Sequence, residues 1–198
     1  MEREDNMQEV TLSQIKKMAR NSYNSLWALA KQYGRDVKLY CHWTAGHYDQ
    51  LFEDYHILIK GDGRVYVSTP NFTEVKASTY MRNSGSISIG LCCAYNAIGT
   101  NNLGNEPPTE AQLNALAQVV CVLADALDLT IDLQRVMTHA EAADNLDNIY
   151  PHEAYGPDST CERWDLYVVH EGDNAGTGGN IIRGNANWYR ASGQLKNL

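Results

Sequence analysis

An apolar run that delivers a histidine occurs twice in this chain, as Leu39-Tyr40-Cys41-His42-Trp43-Thr44 and, about a hundred residues later, as Val136-Met137-Thr138-His139-Ala140-Glu141. Short apolar runs bounded by polar residues read as strands. Between and before these two, the chain carries long stretches of helical periodicity. Strands that alternate with amphipathic helices predict an α/β fold, in which each element buries its apolar face against the other kind.

The first helix opens at Thr11, with Gln14 three residues on, the spacing of a capping box. Leu12, Ile15, Met18, Ala19, Leu26, Leu29 and Ala30 then supply much of an apolar stripe, and Gly34 stands where a C-cap is expected. A second helix follows Pro107-Pro108, with Thr109 and Gln112 as its box. Its core face is Leu113, Leu116, Ala117, Val120, Leu123, Ala124 and Leu127. Both helices are read as structural. Residues 37–44, 54–60, 64–68 and 86–93 read as strands, with Gly61-Asp62-Gly63 turning a hairpin. The polar connections 69–85 and 94–106 are placed to wall a groove above the sheet edge. After Glu171 a glycine-rich stretch leads to Ile181-Ile182-Arg183 and Trp188-Tyr189-Arg190, whose apolar weight suits docking back onto the same domain.

At 198 residues the chain suits one well-packed domain. An apolar content of 43% with 20% charged residues is a globular balance. The formal charge of -8 argues against nucleic acid as a partner, because few cations are present to displace counterions from a phosphate backbone. No apolar run reaches the length of a membrane span, so no membrane insertion is expected. The five cysteines, Cys41, Cys92, Cys93, Cys121 and Cys161, show no metal-finger spacing and sit mostly in apolar runs. They predict buried, reduced thiols.

Imidazole is a common zinc ligand, and a catalytic zinc site takes three protein ligands with one position left open. His42 and His139 are two candidates. Cys161-Glu162-Arg163-Trp164-Asp165 offers both a thiol and a carboxylate for the third, beside a cation suited to a developing oxyanion. The competing reading is that each histidine is an ordinary hydrogen-bonded core or surface residue.

The order of these pieces, over roughly residues 37–170, resembles the zinc-dependent N-acetylmuramoyl-L-alanine amidases, which include phage lysozyme-type amidases and the peptidoglycan recognition proteins. In that family a first strand ends in a histidine ligand, as Leu39 to Thr44 would. A hairpin beginning Tyr-His follows, matched by Tyr55-His56-Ile57-Leu58-Ile59, then a Ser-Ile-Gly strand, matched by Ser88-Ile89-Gly90. A long helix, a strand ending in the second histidine, and a third ligand two residues after a basic or hydroxyl residue complete the pattern, with Arg163-Trp164-Asp165 supplying the last pair.

The resemblance implies a single α/β domain with a central mixed β-sheet flanked by helices. It implies a catalytic domain over 1–170, with 171–198 as a C-terminal extension packed on it or, alternatively, a small wall-binding tail. It also implies Zn2+ held by His42, His139 and Asp165, with Cys161 as the alternative third ligand. Tyr55 matches the tyrosine beside the metal. Arg163 stands where lysine is common, and arginine keeps its charge but cannot shuttle a proton. Some relatives carry a glutamate where this chain has Cys92, which leaves Tyr55 and Glu141 as proton carriers, Glu141 being equally suited to holding a histidine in one tautomer. His47 and Trp43 are candidate substrate contacts, and His56 and His152 groove or supporting residues. The expected substrate is peptidoglycan or a muropeptide, cut by a monomer between N-acetylmuramic acid and L-alanine. The acidic start, Met1 to Asn6, does not read as a secretory signal. Synthesis in the cytoplasm and action on the wall after release by a holin, a secretion apparatus or lysis are therefore expected. Two other readings compete: a non-catalytic muropeptide receptor, and a peptidase using Cys92, Cys93 or Cys41 with His139.

Overall fold

The computed structural model describes residues 7–152, 156 and 163–196. Six strands form one mixed sheet in the order β1-β4-β3-β5-β2-β6. These are β1 (Gln8–Glu9), β2 (Lys38–Trp43), β3 (Ile57–Ile59), β4 (Val65–Val67), β5 (Ser86–Leu91) and β6 (Val136–Thr138). β3, β5, β2 and β6 run parallel to their neighbours, whereas the β3–β4 hairpin and the β1–β4 pair are antiparallel. β1 gives no sequence signal, because two exposed residues carry no periodicity.

Helix α1 (Leu12–Gln32) and helix α2 (Glu110–Ala126) each start on a complete capping box, Thr11 with Gln14 and Thr109 with Gln112. Gly34, at φ +69°, lies just beyond the C-cap of α1, in the left-handed region that glycine adopts most readily. The buried face of α2 is wider than its stripe predicts and includes Val119, Cys121 and Val122. The cause is that α2 packs against the sheet, against α1 and against a further helix, α4 (Gly178–Ser192), which also touches β6. A five-residue helix α3 (His139–Ala143) follows β6 directly. Among the described residues, no helix is long and apolar enough to cross a membrane.

Alternation along β2 divides two environments. Leu39, Cys41 and Trp43 face the main core with Ile57, Ile87, Ile89 and α2, whereas Tyr40 packs with Met137 and Ala142 on the opposite face. His42 shares the face of Tyr40. The expectation of Trp43 as a substrate contact is therefore corrected: it is 4% exposed, in the core, with its ring edge-on to Trp164 at 4.7 Å. Adjacent residues on one strand cannot both face the groove.

Candidate metal centre

Parallel pairing sets Cys41 of β2 beside Thr138 of β6, so the next residues, His42 and His139, emerge side by side. Their ring centroids are 4.7 Å apart. His139 is the first residue of α3 and not the end of a strand. Thr138 caps that helix, accepting from the Glu141 N–H at 3.2 Å while its own N–H donates to Glu141 Oε2 at 3.0 Å.

Asp165 completes the group. A single carboxylate oxygen, Oδ2, lies 3.2 Å from His42 Nδ1 and 3.1 Å from His139 Nδ1. One ligand atom from each of the three residues lies within 4.8 Å of the others. Asp165 sits in a turn. The Ala140 N–H donates to the Asp165 carbonyl at 3.3 Å, which ties the Asp165 backbone to the residue that follows His139.

The electrostatics favour a cation. Burial takes the His42 ring down to about 4 despite the hydrogen bond with Asp165, so it is neutral at pH 7 and offers a lone pair. Burial pushes the Asp165 carboxyl up, but the His139 and His42 rings outweigh it and hold the group well below the usual carboxylate range. His139 Nε2 is buried without a hydrogen-bond partner. Two imidazoles and an ionised carboxylate form a zinc-type donor set with room for a further ligand. Cys161, the alternative third ligand, lies outside the described residues.

Two neighbours orient His42. Thr79 Oγ1 is 3.1 Å from His42 Nε2, a partner of the kind that fixes which ring nitrogen is free to ligate. Thr79 lies within the 69–85 connection, where no sequence signal distinguished it from other loop hydroxyls. The Tyr55 ring is 5.3 Å from His42. Gly90 makes room for it: a Cβ there would stand 3.1 Å from Tyr55 Cγ, and Gly90 pairs with His42 in the sheet. That is a physical reason for glycine in the Ser-Ile-Gly strand. Burial, and then the Asp165 carboxylate, hold the Tyr55 phenol far up, so it remains a hydrogen-bond donor at neutral pH. The Arg163 guanidinium lies over the Tyr80 ring at 5.7 Å, next to Thr79 in sequence and two residues before Asp165.

The remaining expected residues are placed elsewhere. Glu141, expected as a proton carrier or as a partner of a histidine, has both oxygens bound to Arg183, at 2.7 and 2.8 Å, and is buried. Burial makes an unpaired arginine costly, so that carboxylate is committed to a structural pair. His47 is half-exposed, bound to Glu106 Oε1 at 2.7 Å and packed on the Tyr95 ring at 4.0 Å, both partners lying in the 94–106 connection. His56 is fully buried between Ser88 and the Glu74 carbonyl, a core residue. His152 pairs with Asp144. Cys41, Cys92, Cys93 and Cys121 are free and buried. Burial drives Cys41 and Cys92 up to about 12, and Cys93 far above the usual thiol value, which works against a thiolate nucleophile at these three.

The family model described as N-acetylmuramoyl-L-alanine amidase matches residues 8–157. This region includes His42 and His139 and ends before Asp165. No curated protein sequence gives a significant match. Among solved structures, the chain is similar to the Ph2119 endolysin from the Thermus scotoductus MAT2119 bacteriophage Ph2119, at 22% identity over 53% of this chain and 71% of that one, with a TM-score of 0.42. It is also similar to the endolysin N-acetylmuramoyl-L-alanine amidase LysCS from Clostridium intestinale URNW, at 16% identity over 58% and 74%, TM-score 0.42. Drosophila peptidoglycan recognition protein SA matches at 16% over 65% and 94%, TM-score 0.40.

Proposed function

The chain belongs to the N-acetylmuramoyl-L-alanine amidase family, and from that membership we propose that it is a zinc-dependent hydrolase of the amide bond between N-acetylmuramic acid and L-alanine in peptidoglycan. The observation that carries this reading is the convergence of His42, His139 and Asp165, which lie far apart in sequence, on one point at the carboxyl end of the parallel strands.

Zinc held by these three residues supplies Lewis acidity toward water and toward an amide carbonyl. The remaining work falls to the chain itself. Asp165 stays ionised and His42 neutral across the physiological range, so these two need no change of protonation to hold a divalent ion. The Tyr55 hydroxyl, kept protonated by burial, donates toward negative charge that develops on the amide oxygen. Arg163 adds a permanent positive charge and a planar fork suited to an oxyanion or to a stem-peptide carboxylate. Glu141 is occupied by Arg183, and neither Tyr55 nor Arg163 serves as a general base at neutral pH. The Tyr80 ring beneath Arg163 and the His47–Tyr95 ring pair are the aromatic surfaces offered to a glycopeptide.

Arginine in place of the common lysine and Cys92 in place of glutamate favour a second reading, a peptidoglycan-binding protein without turnover. One experiment separates the two. Purified protein is assayed for zinc content and incubated with purified peptidoglycan, and newly exposed L-alanine amino termini are counted. The hydrolase reading expects about one zinc per chain, release of amino termini, abolition by chelation and recovery with Zn2+. Full activity in metal-stripped protein overturns the zinc mechanism. Wall binding without new amino termini establishes the binding protein. Asp165→Ala is expected to lose the metal, and zinc retained by that variant overturns Asp165 as a ligand.

A further inference from the structure

Helix α4 lies beyond the region that defines the family, yet its first two turns touch the backbone that carries the metal ligands. Arg183 donates from both terminal nitrogens to the Glu141 carboxylate and from Nη1 to the Val136 carbonyl at 2.9 Å. Glu141 in turn closes the cap of α3, the helix on which His139 is the first residue. One guanidinium therefore holds both sides of the turn that presents His139: the strand before it and the helix after it. The pair is buried, with the Arg183 and Glu141 side chains 9% and 7% exposed. Its bonds are therefore little competed for by water.

The second contact is steric. A Cβ on Gly178 would fall 1.9 Å from the Leu166 carbonyl oxygen, and one on Gly179 would fall 2.2 Å from Glu141 Oε1. Nothing larger than glycine fits at either place without displacement. Leu166 follows Asp165 directly and has φ +58°, a left-handed conformation that costs a residue with a branched side chain and persists only when its surroundings impose it. The Gly178 N–H also donates to the Tyr167 carbonyl at 3.2 Å. The start of α4 thus presses on the turn that aims Asp165, while Arg183 grips the turn that aims His139.

We propose that α4 is a positioning element of the metal centre, with Arg183 and Gly179 positioning His139 through Glu141 and Gly178 setting the Asp165 turn. This inference rests on the zinc reading above. Catalytic geometry tolerates little displacement, and outer partners of metal ligands typically cost about 10–100-fold in metal affinity when removed.

The test measures the zinc dissociation constant of the full chain by competition with a chromophoric chelator, together with the thermal midpoint of each metal-free protein. Arg183→Met and Gly179→Ala are expected to weaken zinc binding by about 10–100-fold. Arg183→Lys, which keeps the charge but not the fork, should recover part of the loss. Tyr189→Ala removes a buried side chain of the same helix about two turns farther along. It should lower the midpoint while leaving zinc affinity within about twofold of wild type, because the Arg183, Gly178 and Gly179 contacts with the two turns stay in place. If Arg183→Met does not fold, Gly179→Ala and Arg183→Lys carry the same prediction. Wild-type affinity in the Arg183 and Gly179 variants overturns this inference alone. Equal weakening by Tyr189→Ala also overturns it, since α4 would then act only through general stability. Absence of zinc uptake by the wild type overturns the zinc reading, and this inference with it.

Discussion

Each ring nitrogen of His42 has a different neighbour: the Asp165 carboxylate at Nδ1 and the Thr79 hydroxyl at Nε2. Thr79→Val keeps the shape and removes the hydroxyl. It is expected to weaken zinc binding by about 10-fold, read by chelator competition, with little change in far-ultraviolet circular dichroism. Gly90 is the other small residue with a large effect. Adding a methyl group through Gly90→Ala crowds the Tyr55 ring, so the variant should keep its zinc but lose about 10-fold or more in turnover, in line with losses on removing a positioned proton donor. At this scale the histidine pair was legible, because a polar residue delivered by an apolar run is conspicuous. Thr79 was not, since a hydroxyl in a polar loop is the commonest arrangement there is. Trp43 and Glu141 misled for a related reason: proximity in sequence to a ligand does not say which way a side chain points.

Loops at the site are held by elements that sequence periodicity does not describe. The turn containing Thr79 is closed by the Asn83 side chain, which accepts from the Thr79 N–H at 2.7 Å. Arg82, beside it, is fully buried and grips Asp147 with both terminal nitrogens, at 2.8 and 3.0 Å. Lys38 reaches the same carboxylate at 3.0 Å. Asp147 lies just beyond α3, so this cluster fastens the loop that supports His42 to the segment that follows His139. Burial lowers the Lys38 ammonium, while Arg82 and Lys38 together hold the Asp147 carboxyl below its ordinary value against the pull of burial. Asp147→Asn would leave two buried cations without their counter-charge. A loss of about 3–5 kcal/mol in urea unfolding is expected, with weaker zinc binding in whatever fraction remains folded. The capping boxes of α1 and α2, by contrast, were readable because their chemistry is complete within four consecutive residues.

Across the whole molecule, the buried histidines link stability to pH. Burial takes His42 and His56 from the ordinary value of 6.5 to about 4. Between those values the unfolded chain binds more protons than the folded one, so their contribution is present in full above about pH 6.5 and is lost as pH falls toward 4. Each shift corresponds to an effect on the order of 3 kcal/mol at most. Asp165 does not offset this, because its depressed value contributes stability throughout that window and loses it only at lower pH. Metal-free protein should therefore show a lower urea midpoint at about pH 5 than at about pH 7. His56→Gln should flatten that difference whether or not it lowers stability overall. A midpoint independent of pH across this range contradicts the burial of both rings.

Sequence by itself determined the α/β class, the two long helices with their caps, five of the six strands by their apolar runs, and the two histidines that those runs deliver. These are local properties, settled by period, capping chemistry and composition over a few consecutive residues. Only the tertiary structure decided which face of β2 is the groove, that a single Asp165 oxygen meets both imidazoles, that Thr79 and Tyr55 flank them, and that Glu141 belongs to Arg183. Each of these is a contact across a long stretch of chain. Such contacts depend on strand register and on how closely backbones approach at Gly90, Gly178 and Gly179, distances that no local pattern encodes.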